Sequence, residues 1–293
     1  MALKDEHILI VGGQSMLGAA LASNLDGEVG DLTVTTRRAR QAGVAGDVHL
    51  DLASHPDSWE TVVQRRPDVA FLFSAVTSQE TCRADPEQAY LINVERQVDL
   101  ARRLVAGGCR IVFPSTNLVF DGTVANAPAD LPYSPVSNYG RFKAEAEERL
   151  LDLDGEVVVL RLPKVFSSKA PLLSGWSESM RRGESIVGFT DLLAAPISAR
   201  LAVQVFKYLA MSAGRGVYQL SARDELPYAA LAAEVARLTG ASEDLVQAVP
   251  SREAGTELEH LPQHVTLDSS RLANEFDVSQ PSAFETLREI FGS

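Results

Sequence analysis

The join between residues 11 and 12 limits the fold more than any other feature of this chain. A five-residue apolar run, His7-Ile-Leu-Ile-Val11, passes without a linker into Gly12-Gly13-Gln14-Ser15-Met16-Leu17-Gly18, and residues 16–25 continue with helical spacing. A buried strand that turns on glycines straight into a helix opens a β-α-β unit, which commits the next strand to lie parallel to the first. The pattern then repeats. Short runs rich in Val, Ile, Leu, Phe and Thr at residues 32–36, 48–50, 69–73, 110–113 and 156–160 alternate with helical stretches at 59–66, 86–106 and 137–151. That alternation predicts an α/β fold, a Rossmann-type doubly wound parallel sheet with helices on both faces.

Beyond Pro163 the punctuation changes, with Gly, Pro and Ser scattered over residues 166–177 and less regular segments after them. Residues 216–220 read as a strand, 228–239 as a helix and 240–263 as loop-rich. The expected division is therefore a nucleotide-binding domain over residues 1–165 and a smaller C-terminal region over 166–293, with elements near 216–239 returning to the first domain. The smaller region is expected to be mainly substrate-binding. With 293 residues, 45% of them hydrophobic and 23% charged, the chain has apolar material for one large core or two adjoining ones.

The formal charge of −12 disfavours general attraction to nucleic acid or anionic lipid. No apolar run reaches the roughly 18 residues of a membrane span, and charged residues at 4–6 interrupt the start of the chain where a signal peptide needs an apolar core. The expectation is a cytoplasmic protein without nucleic-acid or membrane partners. Cys82 and Cys109 lack the spacing of a metal site or disulfide framework and read as free thiols, and the five histidines form no metal-binding cluster. No metal is expected.

Glycines at the strand-to-helix turn allow the backbone to approach a pyrophosphate, which the amides of a helix N-terminus then receive. Gly12, Gln14, Ser15, Met16, Leu17 and Gly18 are accordingly candidate cofactor residues. At the end of the second strand, where an acid would accept bonds from the ribose hydroxyls of NAD, stands Thr36-Arg37-Arg38. Arg37 and Arg38 suit the extra phosphate of NADPH, with NADH as the alternative.

Tyr139-Gly-Arg-Phe-Lys143 places a phenol and an ammonium four residues apart, on one helical face. A phenol near pKa 10 is a poor acid-base group at neutral pH unless a cation favours its phenolate, and Lys143 is expected to supply that cation. The fifth strand ends in Pro114-Ser115-Thr116, at the carboxyl edge of the sheet where such folds bind ligands. Thr116 there offers a hydroxyl to a substrate carbonyl oxygen and to the tyrosine.

Together with the spacing Gly12-x-x-Ser15-x-x-Gly18, these segments resemble short-chain dehydrogenases. The succession of residues 67–77, Asp85-Pro86 through Asn93-Val94, Ser115-Thr-Asn-Leu-Val-Phe-Asp-Gly122 and Tyr139 to Lys143 resembles the dTDP-4-dehydrorhamnose reductases over residues 7–166, and Ala195-Pro-Ile-Ser198 and residues 216–220 continue the likeness. The resemblance implies that Thr116, Tyr139 and Lys143 are catalytic. It implies also that Asp51 and Leu52 meet the adenine, that Ser74, Ala75 and Val76 line the cofactor, and that Thr77, Asn117, Val119 and Phe120 border the sugar pocket. The expected reaction is NADPH-dependent reduction of a keto group, at C4, on a nucleotide-linked deoxysugar, by a chain that could act as a homodimer. Two departures stand out: Ser15 in place of the central glycine, and Asn117-Leu118 where the family has Asp-Tyr.

Two alternatives stay open. A sugar-nucleotide epimerase would use tightly held NAD as a transient hydride store; a dehydratase is disfavoured because the acid pair that follows the threonine in such enzymes is absent. A cofactor-binding regulatory subunit, like that of methionine adenosyltransferase, would need a partner protein rather than a substrate. Arg181 and Arg182 read as solvated helix charges before they read as pyrophosphate ligands, and Trp176 and Tyr228 as core packing before ring stacking.

Overall fold

The computed structural model describes residues 3–37, 47–255 and 260–292. Arg38, one of the two expected phosphate-binding arginines, lies outside the described residues. The chain separates into two compact units, one comprising 1–119, 137–161 and 203–218, the other 120–136, 162–202 and 219–293.

The first unit is built on a seven-stranded sheet. Its strands are β1 (His7–Val11), β2 (Asp31–Thr36), β3 (Asp47–His49), β4 (Val69–Leu72), β5 (Arg110–Thr116), β6 (Val157–Leu162) and, from later in the chain, β11 (Gly216–Gln219). The order across the sheet is β11-β6-β5-β4-β1-β2-β3. β1 pairs in parallel with β2 on one side (Leu9 opposite Thr33) and with β4 on the other (Leu9 opposite Ala70). The direction of winding reverses between β1 and β4, and a doubly wound sheet opens its ligand crevice at the carboxyl ends of those two strands. β1, β4 and β6 are buried on both faces, which explains why they read as unbroken apolar runs rather than as alternating ones.

Helices α1 (Met16–Leu25), α2 (Glu60–Val63), α3 (Gln79–Ala84), α4 (Pro86–Tyr90), α5 (Gln97–Ala106) and α6 (Asn138–Leu151) fill the crossovers. Leu100, Leu104, Trp59, Val62, Ala146 and Leu150 pack with Leu9, Leu72, Ile111 and Val159 in one core. Two expectations need correction here. The helix expected over 59–66 is a 3₁₀ turn, Pro56–Trp59, and a single α-turn, Glu60–Val63. It stops because Arg66 precedes Pro67, whose ring disfavours a right-handed helical residue before it, and Arg66 takes φ +49° instead. The helix expected over 86–106 is continuous in path but not in winding: between α4 and α5 the stretch Leu91–Arg96 is a π-helix.

The second unit holds the remaining short strands, β7 (Val165–Phe166), β8 (Ile186–Phe189), β9 (Leu193–Ala194), β10 (Ile197–Ser198), β12 (Leu226–Pro227) and β13 (Val246–Val249). They form three two-stranded pairings, β7 with β10, β9 with β12 and β8 with β13. β13 falls in the segment expected to be loop, and its pairing with β8, in register from Val246 opposite Ile186, is what makes it a strand. Helices α7 (Pro171–Arg181), α9 (Tyr228–Thr239) and α11 (Ala283–Gly292) enclose a core of Leu173, Trp176, Met180, Leu231, Val235 and Leu287. α8 (Ala199–Met211) and α10 (Ser270–Phe276) complete the helices. Trp176 meets Tyr228 edge to face at 6.4 Å, in line with the packing role expected for both. Among the described residues no helix is long and apolar enough to cross a membrane.

Candidate active site

The glycine turn after β1 is closed by the side chain that departs from the family pattern. Ser15 Oγ donates to Gly12 O at 2.8 Å and accepts from Gly18 N at 3.0 Å, so it is the N-cap of α1. Its single hydrogen is committed inside the turn. The glycines are fixed by what surrounds them. Gly12 has φ +90°, and a Cβ on it would lie 2.7 Å from Ser74 N; one on Gly18 would lie 2.4 Å from Gly12 O. The contact between Gly12 and Ser74 joins the loops that leave β1 and β4, the two edges of the expected crevice.

The loop after β4 is held by a device with no sequence signal of its own. Asn93, in the π-helical stretch and 1% exposed, accepts from Val76 N and donates to Val76 O, both at 2.8 Å. One amide thereby satisfies both backbone groups of Val76, as a neighbouring strand would. Gln97 Nε2 donates to Ser74 O, and Cys82 Sγ donates to Val76 O at 3.5 Å. Asn93 and Gln97 stand four residues apart, where the π-helical stretch passes into α5, and so reach the same loop from one face. Ser74, Ala75 and Val76 are half-buried and Thr77 is exposed.

At the end of β2, Thr35 and Thr36 are buried, whereas Arg37 is exposed and its carbonyl accepts from His49 Nε2 at 3.0 Å. Asp51, half-buried, accepts from Ala53 N through Oδ1, and its carbonyl accepts from Trp59 Nε1 at 3.1 Å. Leu52 is packed into the core of the first unit.

Thr116 and Ser115 close β5. Thr116 Oγ1 accepts from Leu118 N at 3.1 Å and lies 3.4 Å from Asn117 Oδ1. Ser115 Oγ is buried with no partner among the described residues, and so is Gln97 Oε1. Two unanswered polar atoms along this edge suit a polar ligand lying against it. Asn117 is half-buried, and Val119 and Phe120 are buried.

α6 begins at Ser137, whose Oγ accepts from Gly140 N at 3.1 Å, and that cap fixes where Tyr139 enters the first turn. Lys143, one turn on, is 3% exposed; its Nζ donates to Pro114 O and stands 3.6 Å from the centre of the Phe113 ring. Burial pushes Lys143 down to about 7, against an opposing pull from Glu147. The expectation that Lys143 lowers the phenol of Tyr139 is not met: burial, and then the Cys82 thiol, push that phenol up. The physical reason is where the ammonium points, toward the Pro114 carbonyl and the ring of Phe113. A neutral phenol can give a proton to a developing alkoxide.

The RmlD substrate binding domain model matches residues 6–292. A dTDP-4-dehydrorhamnose reductase of Salmonella typhimurium is 26% identical over 300 residues, covering 94% of this chain and 93% of its own. Among solved structures, a dTDP-4-dehydrorhamnose reductase of Bacillus anthracis in complex with NADP superposes with a TM-score of 0.87 at 20% identity, over 98% of this chain and 99% of that one. A UDP-glucose 4-epimerase of Thermotoga maritima gives 0.82 at 18% identity, over 98% and 97%. Reductase and epimerase thus share this fold, and the fold by itself does not separate them. The family match, running nearly the length of the sequence, is decisive for kinship: the chain belongs to the RmlD substrate binding domain family and is an NAD(P)-dependent oxidoreductase of the extended short-chain dehydrogenase class.

Proposed function

We propose that the protein reduces a keto group, at C4, of a nucleotide-linked deoxysugar, with NADPH as the reductant. The observation that carries this reading is that α6 bears Tyr139 and the buried Lys143 on one face and presents Lys143 Nζ to the Pro114 carbonyl near the end of β5. In this reading the Gly12 to Gly18 turn and the first-turn amides of α1 receive the pyrophosphate, and Arg37 with Arg38 meets the additional phosphate. Asp51 and Leu52 lie toward the adenine, and Ser74, Ala75 and Val76 toward the rest of the dinucleotide. When bound, NADPH supplies the hydride that the carbonyl carbon takes up. Tyr139 Oη gives its proton to the carbonyl oxygen as that oxygen gains charge, and the phenolate is reprotonated from solvent. Thr116 Oγ1 holds the same oxygen by a hydrogen bond, and the Lys143 ammonium, on the face it shares with Tyr139, turns from the Pro114 carbonyl to favour the transient phenolate. Thr77, Asn117, Val119 and Phe120 border the sugar; Asn117, in place of the family's aspartate, offers an amide where a carboxylate would otherwise stand.

Titration with NADPH and NADH, followed by turnover of nucleotide-linked 4-keto sugars, tests the reading. Tighter binding of NADPH and one reduced sugar formed per NADPH consumed are expected. Product formed without NADPH loss would make the protein an epimerase, and binding without any turnover would make it a regulatory subunit. Tyr139→Phe should lower kcat by about 100-fold or more; full activity in that variant would remove Tyr139 from the chemistry.

A further inference from the structure

Glu147 has no part in the proton transfer assigned to Tyr139, Thr116 and Lys143, yet its side chain is completely buried. Its partner is Arg161 of β6, 2% exposed, which donates from Nε at 3.2 and 3.0 Å and from Nη2 at 2.7 Å, engaging both carboxylate oxygens. Buried ion pairs are seldom more stabilising than apolar side chains of the same volume, so stability alone does not account for this one. Its place does. Residues 139, 143 and 147 follow at four-residue spacing along α6 and share one face.

The groups around Lys143 leave it dependent on that carboxylate. Among the described residues β5 offers the neutral Pro114 carbonyl and the Phe113 ring, the Asn117–Val119 turn carries no titratable group, and on α5 Asp99 pairs with Arg103 while Arg102 is exposed. The π-helical stretch packed against α6 sends Asn93 to Val76 and lays Arg96 over the Trp59 ring at 5.8 Å. From α3, Cys82 acts on Tyr139, and from β6 Arg161 is engaged with Glu147. Glu147 is the charge that opposes the cost of burying Lys143.

We propose that Glu147, oriented by Arg161, is a positioning residue whose carboxylate keeps the Lys143 ammonium charged on the face it shares with Tyr139. The inference rests on the reading of Lys143 as part of the proton-transfer centre, and its test is made independent of turnover. The chain has only five lysines, so the ε-methylene signals of isotope-labelled lysine can be followed by NMR against pH in the full protein, with Lys143 assigned from Lys143→Met. In Glu147→Gln the Lys143 midpoint should fall by about one pH unit or more, and Glu147→Asp should bring it back toward the wild-type value. In turnover assays the alkaline limb of kcat should move to lower pH in the same variant. A Lys143 midpoint unchanged in Glu147→Gln overturns the proposal even if the protein proves an active reductase. Should Glu147→Gln fail to fold, the double variant Glu147→Gln, Arg161→Met is read against Arg161→Met alone, below whose Lys143 midpoint its own must lie; equal midpoints in the two refute the role.

Discussion

Replacing Asn93 with Asp is the sharpest available test of how the loop after β4 is held. The substitution keeps shape and volume, and one carboxylate oxygen can still accept from Val76 N. The other now faces Val76 O, where the amide had donated. The ionised side chain therefore loses a hydrogen bond worth about 1 kcal/mol, sets two acceptors against each other, and strands a charge at a site that is 1% exposed. A cost of roughly 3 kcal/mol follows, because an unmet buried polar group adds about 1–3 kcal/mol to the lost bond. Protonation repairs the defect, since a neutral carboxylic acid donates through its hydroxyl and accepts through its carbonyl, as the amide did. The folded-state pKa of the new Asp is thus raised above its unfolded value, and linkage fixes the sign: the variant loses stability as pH rises through the window between the two. Urea unfolding of wild type and Asn93→Asp at acidic and at mildly alkaline pH should show a small difference at the first and the full deficit at the second. NADPH affinity should fall with the alkaline deficit as the loop loosens. Equal stability of the two proteins at alkaline pH would refute the assignment of Asn93 as the clamp on Val76.

Other outcomes follow from the same contacts. Ser15→Ala, which removes the cap from α1, should cost about 1 kcal/mol in urea unfolding, and Ser15→Gly only a few tenths. Lys143 titrates near 7 in the folded chain against 10.5 unfolded, so its burial is a handicap below pH 7 that is relieved as pH rises from 7 toward 10.5. Lys143→Met should therefore be more stable than wild type at pH 6, by roughly 1–3 kcal/mol, while losing reductase activity. Arg110, buried at the start of β5, donates to Leu209 O, Glu156, Ser212 and Gly214 O; Arg110→Ala leaves the two carbonyls without that donor and should cost about 2–4 kcal/mol in thermal or urea unfolding, while the half-exposed Glu156 returns to water.

How far the sequence could be read depended on how local the deciding forces were. β1, β4 and β6 were visible because strands buried on both faces need continuous apolar runs, and the start of α1 because its turn and cap are adjacent in sequence. α7 was hidden by the residues that mark loops elsewhere. Pro171 stands where a missing N–H costs nothing, and Ser174 and Ser177 turn their hydroxyls back to the carbonyls of Ala170 and Leu173, so the punctuation is absorbed into the helix. β13 is a strand because of Ile186 to Phe189, some sixty positions away. In the candidate site, Tyr139 and Lys143 stood out by their spacing. The raised phenol did not, because it depends on burial and on Cys82, and neither is encoded in a four-residue interval. Asn93 and Gln97 read as ordinary helix residues; their partners, Val76 and Ser74, lie 17 and 23 positions away, and no local pattern announces the pairing.

The change of winding at Leu91–Arg96 bears on the length of the helix rather than on its composition. Rewinding residues 91–96 as regular α-helix at constant length would swing everything on one side by about 100° about the axis relative to the other, whereas deleting one residue as the stretch rewinds would cancel most of that swing. The segment should therefore tolerate a single-residue deletion better than the α-helical turns on either side of it, a signature that a deletion scan would reveal where a substitution scan would pass over it.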